Sequence, residues 1–387
     1  MSLVVDEHRQ YLADEVRVSA YQQAIAEVVR PGDVVLDLGS GTGILGMLAC
    51  QAGAKRVYAV EEGGMIELAR TVARANGFED QITYLKGHST RVKLPEKVDV
   101  ALCDQIGRFG FEAGVGGFFN DVRERFLKPG GRLIPRQVNI FLALVECPET
   151  WGQVEFWNDS PAGFDFRPAR TWAANTGYPV KLVPDQLLGE PARLCTMDLT
   201  RTAPATLGGE LRIQAAKAGT LHGLGGWFSA QLSPNVVMSN SPLIPQSIER
   251  RNVFFPVDHP VPLEPGDCVR IRMHIIPNDL VVTWKVEVRR QQPGGNTTAS
   301  NGLKARFAHS TLQGMLICKE DLERTRPRFI PKLSPWGEAR RSILELCDGL
   351  RPLAEIEQEV FRRHSDLFPS PDEAAAFVAE VIPRYAL

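Results

Sequence analysis

Val34-Val35-Leu36-Asp37-Leu38-Gly39-Ser40-Gly41-Thr42-Gly43-Ile44-Leu45 is the stretch that decides the fold of this chain. Its apolar opening reads as a buried strand, its alternating glycines as a tight turn, and Ile44-Leu45 as the start of a helix. Further on, Val57-Tyr58-Ala59-Val60 is a second apolar run, and it ends in Glu61. A strand, a glycine turn, a helix and a second strand tipped by a carboxylate make a nucleotide-binding βαβ unit. The glycines let the backbone approach a ligand closely, and Glu61 is placed to accept hydrogen bonds from both ribose hydroxyls. A dinucleotide site wants G-x-G-x-x-G, with the pyrophosphate at the helix N-terminus. Here the spacing is Asp37-x-Gly39-x-Gly41-x-Gly43, and an acid before the first glycine repels a pyrophosphate.

Composition narrows the class. A chain of 387 residues predicts two to three domains. With 44% hydrophobic and 23% charged residues it reads as a soluble globular protein. A net charge of -2 gives no basic excess, so no nucleic-acid partner is expected. No apolar run approaches the roughly 20 residues that span a bilayer, so no membrane partner is expected either. The first 30 residues are mixed and charged, without a signal-peptide core. The seven cysteines are scattered and form no C-x-x-C pair, which predicts neither a metal site nor a disulfide framework. Reduced thiols place the chain in the cytoplasm.

The periodicity divides the chain into three styles. Residues 1–30 have helical spacing up to Pro31-Gly32. From 33 to 134 apolar runs (Val34–Leu38, Val57–Val60, Ile82–Lys86, Val98–Cys103, Arg132–Pro135) alternate with helical stretches (Leu45–Gln51, Met65–Asn76, Phe118–Phe126), which predicts a parallel, doubly wound α/β sheet. From about 136 to 317 short segments alternate apolar and polar, as in Asn139–Val145, Leu211–Ala215, Val269–Ile275 and Val281–Val288, which predicts an antiparallel β sandwich or barrel. Residues 293–302 read as a mobile hairpin tip. Near 335 a third style begins, with short helices over Ser342–Cys347, Pro352–Arg363 and Ser370–Pro383. The expected domains are therefore 1–135, 136–317 and 318–387.

The glycine loop has the pattern of class I methyltransferases that use S-adenosyl-L-methionine, in which Asp37 suits the ammonium of the methionine moiety; an NAD-type turn is the competing reading. Residues 6–315 more broadly resemble the protein arginine methyltransferases. Tyr11-Leu12-Ala13-Asp14-Glu15-Val16-Arg17 is similar to that family's N-terminal helix signature. The resemblance implies that Arg17 pairs with the cofactor carboxylate and that His8 faces the active site. Asp37, Gly39 and Gly41 then lie in the cofactor loop, Glu61 holds the ribose, and Lys86-Gly87-His88-Ser89-Thr90 forms the adenine-side loop, with Thr90 where the family has a glutamate. Gly163-Phe164-Asp165-Phe166 and Val183-Pro184-Asp185-Gln186-Leu187 resemble the ends of its dimerisation arm, so a homodimer through about 164–187 is expected. The implied architecture is a methyltransferase sheet followed by a β-barrel.

The acceptor loop departs from the family. Arginine methylation needs two carboxylates on one guanidinium, to hold it by bidentate bonds and draw its charge to one edge. The family supplies two glutamates. Here the loop is Cys103-Asp104-Gln105-Ile106-Gly107-Arg108-Phe109-Gly110-Phe111-Glu112-Ala113. Asp104 is one methylene shorter than the first glutamate, Ala113 stands at the second, Glu112 is one residue off register, and Arg108 brings in a cation. The Thr-His-Trp loop of the family aligns with Ser247-Ile248-Glu249, followed by Arg250-Arg251-Asn252. Asp104, Glu112 and Arg108 are the candidate catalytic residues. They leave two acceptors open: arginine held by a slipped Asp104–Glu112 pair, or a changed acceptor such as a carboxylate or another nitrogen, with Arg108, Arg250 or Arg251 holding an anion.

In the last segment, Ile343-Leu344-Glu345-Leu346-Cys347-Asp348-Gly349 and the following Glu355-Ile356 resemble the helical half of PqqD-like, winged-helix-sized domains, the leader-recognition elements of enzymes that modify ribosomally made peptides. The sheet of such a domain would have to come from 318–336, and a leader would add to it as a strand. The sequence thus predicts an S-adenosyl-L-methionine-dependent methyltransferase acting on a precursor peptide. The alternatives are methylation of arginine, in a protein or free, and a cofactor-binding scaffold without turnover.

Overall fold

The computed structural model describes residues 4–290 and 302–386. The chain falls into two compact units, Met1–Met315 and Leu316–Leu387. The expected hairpin tip at 293–302 lies, up to residue 301, outside the described residues.

The first unit opens with α1 (Val4–Ala13) and α2 (Glu15–Val28). The single helical period of the first 30 residues is broken at Asp14, whose side chain accepts the Arg17 N–H at 3.0 Å and caps α2. Then come β1 (Val34–Leu38), α3 (Ile44–Gln51), β2 (Arg56–Glu61), α4 (Met65–Ala75), β3 (Ile82–Lys86), β4 (Val98–Cys103), α5 (Val115–Arg125) and β5 (Leu127–Ile134). The five strands form one sheet in the order β3-β2-β1-β4-β5, and every pairing in it is parallel. All five residues of β1 are buried, as a strand covered by helices on both faces requires. The order reverses between β1 and β4, and ligands of open α/β sheets bind at the strand ends beside such a switch. Gly39, Gly41 and Gly43 have φ of 64°, 52° and 79°, so the turn after β1 uses backbone conformations that side chains resist.

The second style is an antiparallel β domain. Its strands are β6 (Gln137–Val145), β7 (Tyr178–Val180), β8 (Ala192–Asp198), β9 (Leu207–Gln214), β10 (Gly219–Gln231), β11 (Val237–Ser239), β12 (Asn252–Leu263), β13 (Cys268–Ile276), β14 (Val281–Arg289) and β15 (Leu303–Ser310). One sheet runs β7-β12-β10-β6-β8 with β11 on β10, the other β15-β14-β13-β9. The sheets share an interior with the parallel sheet, because one continuous core cluster includes Leu36, Phe109, Phe228 and Trp284. Trp284 ties the two antiparallel sheets together. Its indole N–H donates to Pro256 O at 2.9 Å and its ring lies 5.1 Å from that of Phe255. Between β6 and β7 lie α6 (Pro148–Glu155) and α7 (Arg170–Ala174).

The second unit consists of α8 (Lys319–Arg324), α9 (Pro335–Leu346), α10 (Leu353–Arg363) and α11 (Pro371–Tyr385). Ala339, Ile343, Ile356, Val360, Phe368, Ala374 and Val378 form its own core. Helix α9 starts well before the expected Ser342, because Ser334 caps it and Pro335 occupies its first turn. The stretch 318–336, which would have to supply a sheet, holds α8 and irregular backbone instead. Among the described residues no helix is long and apolar enough to cross a membrane.

Candidate active site

The end of β4 places Asp104 against α2. Burial pushes its carboxyl up, but the Arg250 and Arg17 guanidinium groups beside it more than offset this and hold it below the usual range. Asp104 Oδ1 accepts the Tyr21 hydroxyl at 2.9 Å. Oδ2 accepts Arg17 Nε–H at 2.6 Å and Arg250 Nη2–H at 3.3 Å. Arg17 and Tyr21 are one helical turn apart and so reach the same target. Burial, then the Asp104 charge, raises the Tyr21 hydroxyl well above its ordinary value, so it stays a donor. Tyr11 lies beside both cations, with the Arg17 and Arg250 Cζ atoms 5.1 and 5.9 Å from its ring centre.

Two loops are locked together around this pair. Asp14, besides capping α2, accepts the Glu249 N–H at 2.9 Å. The Asn240 amide donates to Arg108 O at 2.8 Å and to Arg251 O at 3.1 Å, and Arg250 Nη1 donates to Gly107 O at 3.3 Å. Ile248 is buried. Arg250 therefore sits on Asp104 because the backbone on both sides of it is fixed.

Glu112 does not turn towards Asp104. Its carboxylate accepts the N–H groups of Arg108 at 2.6 Å, Phe109 at 2.9 Å and Phe111 at 3.2 Å, all from its own loop. Gly107, at φ 86°, makes room for this; a Cβ there would lie 2.5 Å from the Glu112 carboxyl carbon. The Arg108 guanidinium is exposed and has no ion-pair partner among the described residues.

A cavity lies beside the switch point, lined by Gly39, Glu61, Gly87, Ser89, Gln105 and Phe118 among others. Gly39, Glu61 and Ser89, singled out from the sequence, thus share one wall. Glu61 accepts Gly41 N–H at 3.0 Å and Gly63 N–H at 2.8 Å. Asp37 is fully buried behind the turn, and burial raises its carboxyl to about 7, even though it accepts the Gly46 N–H at 2.9 Å. Asp37 Oδ1, Ser40 Oγ and Ser89 Oγ are buried without a hydrogen-bond partner among the described residues. Such atoms cost free energy unless something binds them; of the three, Ser89 lines the cavity and offers a ligand an open polar atom there. The histidine ring of α1 closes over the turn: a Cβ on Gly41 would lie 2.6 Å from His8 Cε1. Gly41→Ala combines that clash with a left-handed φ, and is expected to cost about 1–3 kcal/mol. Denaturant unfolding checks this, and unchanged stability would mean that α1 does not rest on the turn.

Tyr21, Gln105 and Arg250 are the residues that sequence reasoning gave no definite place. Only Tyr21 carried a local signal, its spacing from Arg17.

Residues 20–133 match the family described as ribosomal protein L11 methyltransferase, and residues 136–287 the arginine methyltransferase oligomerization subdomain. An arginine N(omega)-methyltransferase of Streptomyces achromogenes subsp. streptozoticus is 31% identical over 275 residues, covering 69% of this chain and 75% of that protein. The chain belongs to the protein arginine methyltransferase family. Protein arginine N-methyltransferase 6 of Xenopus laevis is 28% identical over 287 residues, 70% of this chain and 84% of that one. Among solved structures, the Trypanosoma brucei PRMT1 enzyme–prozyme heterotetrameric complex with AdoHcy aligns with a TM-score of 0.69 at 23% identity, over 78% of this chain and 97% of that chain. That likeness establishes the protein arginine methyltransferase fold, a Rossmann-like sheet followed by the β-barrel domain. The chain is an S-adenosyl-L-methionine-dependent methyltransferase, and the cavity, lined by Gly39, Glu61 and the unpartnered Ser89 hydroxyl with Asp37 and Ser40 buried at the adjoining turn, fits that cofactor.

Proposed function

We propose that this methyltransferase modifies a peptide, a ribosomally synthesised precursor, at an acceptor other than an arginine guanidinium, with residues 316–387 recognising the substrate. The observation that carries the reading is Glu112: its carboxylate is spent on three amides of its own loop, and Ala113 offers none. One carboxylate, Asp104, is left where a guanidinium acceptor needs two.

The bound cofactor supplies an electrophilic methyl group on a sulfonium. Around it, Glu61 holds the ribose, Ser89 the adenine side, Asp37 the ammonium, and Arg17 the carboxylate. Gly39 and Gly41 allow the close approach, and His8 on α1 covers the turn and keeps water out. Asp104 anchors Arg17 and Arg250, and the exposed Arg108 on the same loop is free to meet the substrate.

Two features support the peptide reading. The second unit has its own core. Just before α9, Arg326, Arg328 and Lys332 have no ion-pair partner among the described residues and alternate with exposed Phe329, Ile330 and Leu333. A basic and apolar strap of this kind suits an acidic, apolar peptide. Since 318–336 forms no sheet, the peptide docks on this strap and the helices rather than by extending a preformed sheet. Exposed Phe164 and Phe166 at the start of the arm support a homodimer through 164–187, and we place the protein in the cytoplasm.

The second reading is arginine methylation, favoured by the Streptomyces relative's name. Intact-mass spectrometry separates the readings. Precursor peptides, arginine-containing peptides and L-arginine are each incubated with S-adenosyl-L-methionine and either the full chain or a chain ending at residue 315. The expected result is methyl mass on a precursor peptide, placed by fragmentation on a residue other than arginine and lost with the shorter chain. Methylation confined to arginine selects the second reading. Cofactor binding without any methylation would leave a scaffold.

A further inference from the structure

The ion pair between Arg250 and Asp104 goes beyond the loss of a second carboxylate. A carboxylate has about four lone-pair sites, and a bidentate guanidinium needs one on each oxygen. On Asp104, Oδ2 already accepts from both Arg17 and Arg250, and Oδ1 accepts from Tyr21. No bidentate edge remains. The group filling it is itself a guanidinium, with a side chain 14% exposed beside an Asp104 side chain 11% exposed. Arg250 is held there by its own bond to Gly107 O, by Asn240 bonding Arg251 O, and by Asp14 bonding the Glu249 N–H.

We propose that Arg250 is a specificity-determining residue: it occupies from within the chain the place on Asp104 that a guanidinium substrate would take, so that the site refuses a cationic acceptor and binds a carboxylate. The proposal deepens the reading that the acceptor is not arginine and rests on it. Charge supports it. Arg17 and Arg250 bring two cations to the one Asp104 carboxylate in a largely buried cluster where ion–ion interactions are strong, Asp14 being the further carboxylate that acts on Arg17. The Arg250 bonds to Asp104 and Gly107 use two of its five N–H donors, and the others are available to an incoming carboxylate. A guanidinium acceptor would meet two like charges and no bidentate edge.

The test uses the full chain without cofactor and two small probes, methylguanidine and propionate, followed by ligand-observed NMR and thermal denaturation. Wild type is expected to bind propionate and to show no saturable methylguanidine binding. Arg250→Met, which keeps the stem, is expected to reverse this: methylguanidine fills the vacated place on Asp104 and raises Tm, and propionate binding drops at least tenfold. Arg250→Gln serves as the second variant if the first folds poorly, with the same expected reversal. Methylguanidine binding by wild type overturns the proposal whatever the variants do, and so does a folded variant with the wild-type pattern. Failure here is distinguishable from failure of the peptide reading. A wild type that methylates arginine sinks both, whereas methylation of another acceptor together with an unreversed probe pattern sinks only the role of Arg250.

Discussion

Asp104→Ala is expected to lower the stability of the first unit by about 3–5 kcal/mol, the usual cost of removing one partner from a buried ion pair, and to abolish methyl transfer to any acceptor. The reason lies in the two cations it leaves behind. Arg17 and Arg250 both point at Oδ2, and with the carboxylate gone they face each other in a buried space. The loss should show as a fall in Tm on the order of 5–10 °C. Arg250→Met in the same chain should restore part of it, since the double variant carries one buried cation fewer; the coupling is read from the double-mutant cycle. The pH dependence has a definite sign. The folded-state carboxyl is depressed, so its contribution is present above the unfolded value near 3.8 and lost only as pH falls through the folded one. The difference between wild type and variant should therefore be flat above about pH 5 and shrink only in stronger acid. An unchanged Tm would show that Asp104 is solvated and unpaired in solution.

This result also changes what the substitution can say about chemistry. From the sequence alone, Asp104 reads as a candidate catalytic residue, one half of a slipped pair with Glu112. In the structure the same carboxylate anchors Arg17, a proposed cofactor residue, so its loss is severe whatever the acceptor. The acceptor question passes to Arg250.

What was legible in the chain was the part built from neighbours. Strand β1, the glycine turn and helix α3 are contiguous, and their period and turn chemistry are local. The switch from a period of α/β units to alternating β segments near residue 136 is likewise a local pattern, and it coincides with the change from a parallel to antiparallel sheets. The site pairings were not legible. Asp104 and Arg250 are 146 residues apart, and nothing near either residue announces the other. Glu112 could be read as the slipped member of an acidic pair because its preference for three loop amides depends on Gly107 adopting a positive φ, which the bare sequence permits but does not require. The start of α9 was missed although Ser334-Pro335 is a cap followed by a first-turn proline, because the apolar spacing that draws the eye begins only at Ile343. The stretch 318–336 shows the limit of arguing from half a motif: helices that resemble one family do not oblige the preceding residues to form its sheet.

The affinity for S-adenosyl-L-methionine is expected to rise about tenfold per pH unit from pH 5 to 7 and then level off. Asp37 carries the argument. Burial, with the charges of Glu61 and Asp104 adding to it, raises its carboxyl to about 7, against the one hydrogen bond from Gly46 that favours ionisation. Oδ1 has no partner. In the free protein a rising pH therefore places an uncompensated charge behind the glycine turn. The sign for stability follows: a folded-state value raised above the ordinary 3.8 gives stability that is complete in acid and is lost as pH rises through about 7. The loss amounts to about 4 kcal/mol at roughly 1.4 kcal/mol per unit. A ligand ammonium near Asp37 reverses this balance. It favours the carboxylate, so below pH 7 binding must expel a proton, and affinity falls with each unit of acid. Calorimetry in buffers of different ionisation enthalpy would read that proton directly, with close to one proton released between about pH 5 and 6, about half at pH 7 and little above pH 8. Asp37→Asn removes the titrating group and should bind weakly with a flat profile over the same range. A wild-type profile that is flat from pH 5 to 7, with no proton released, would mean that the ammonium is held elsewhere and that Asp37 serves only to cap the start of α3 through Gly46.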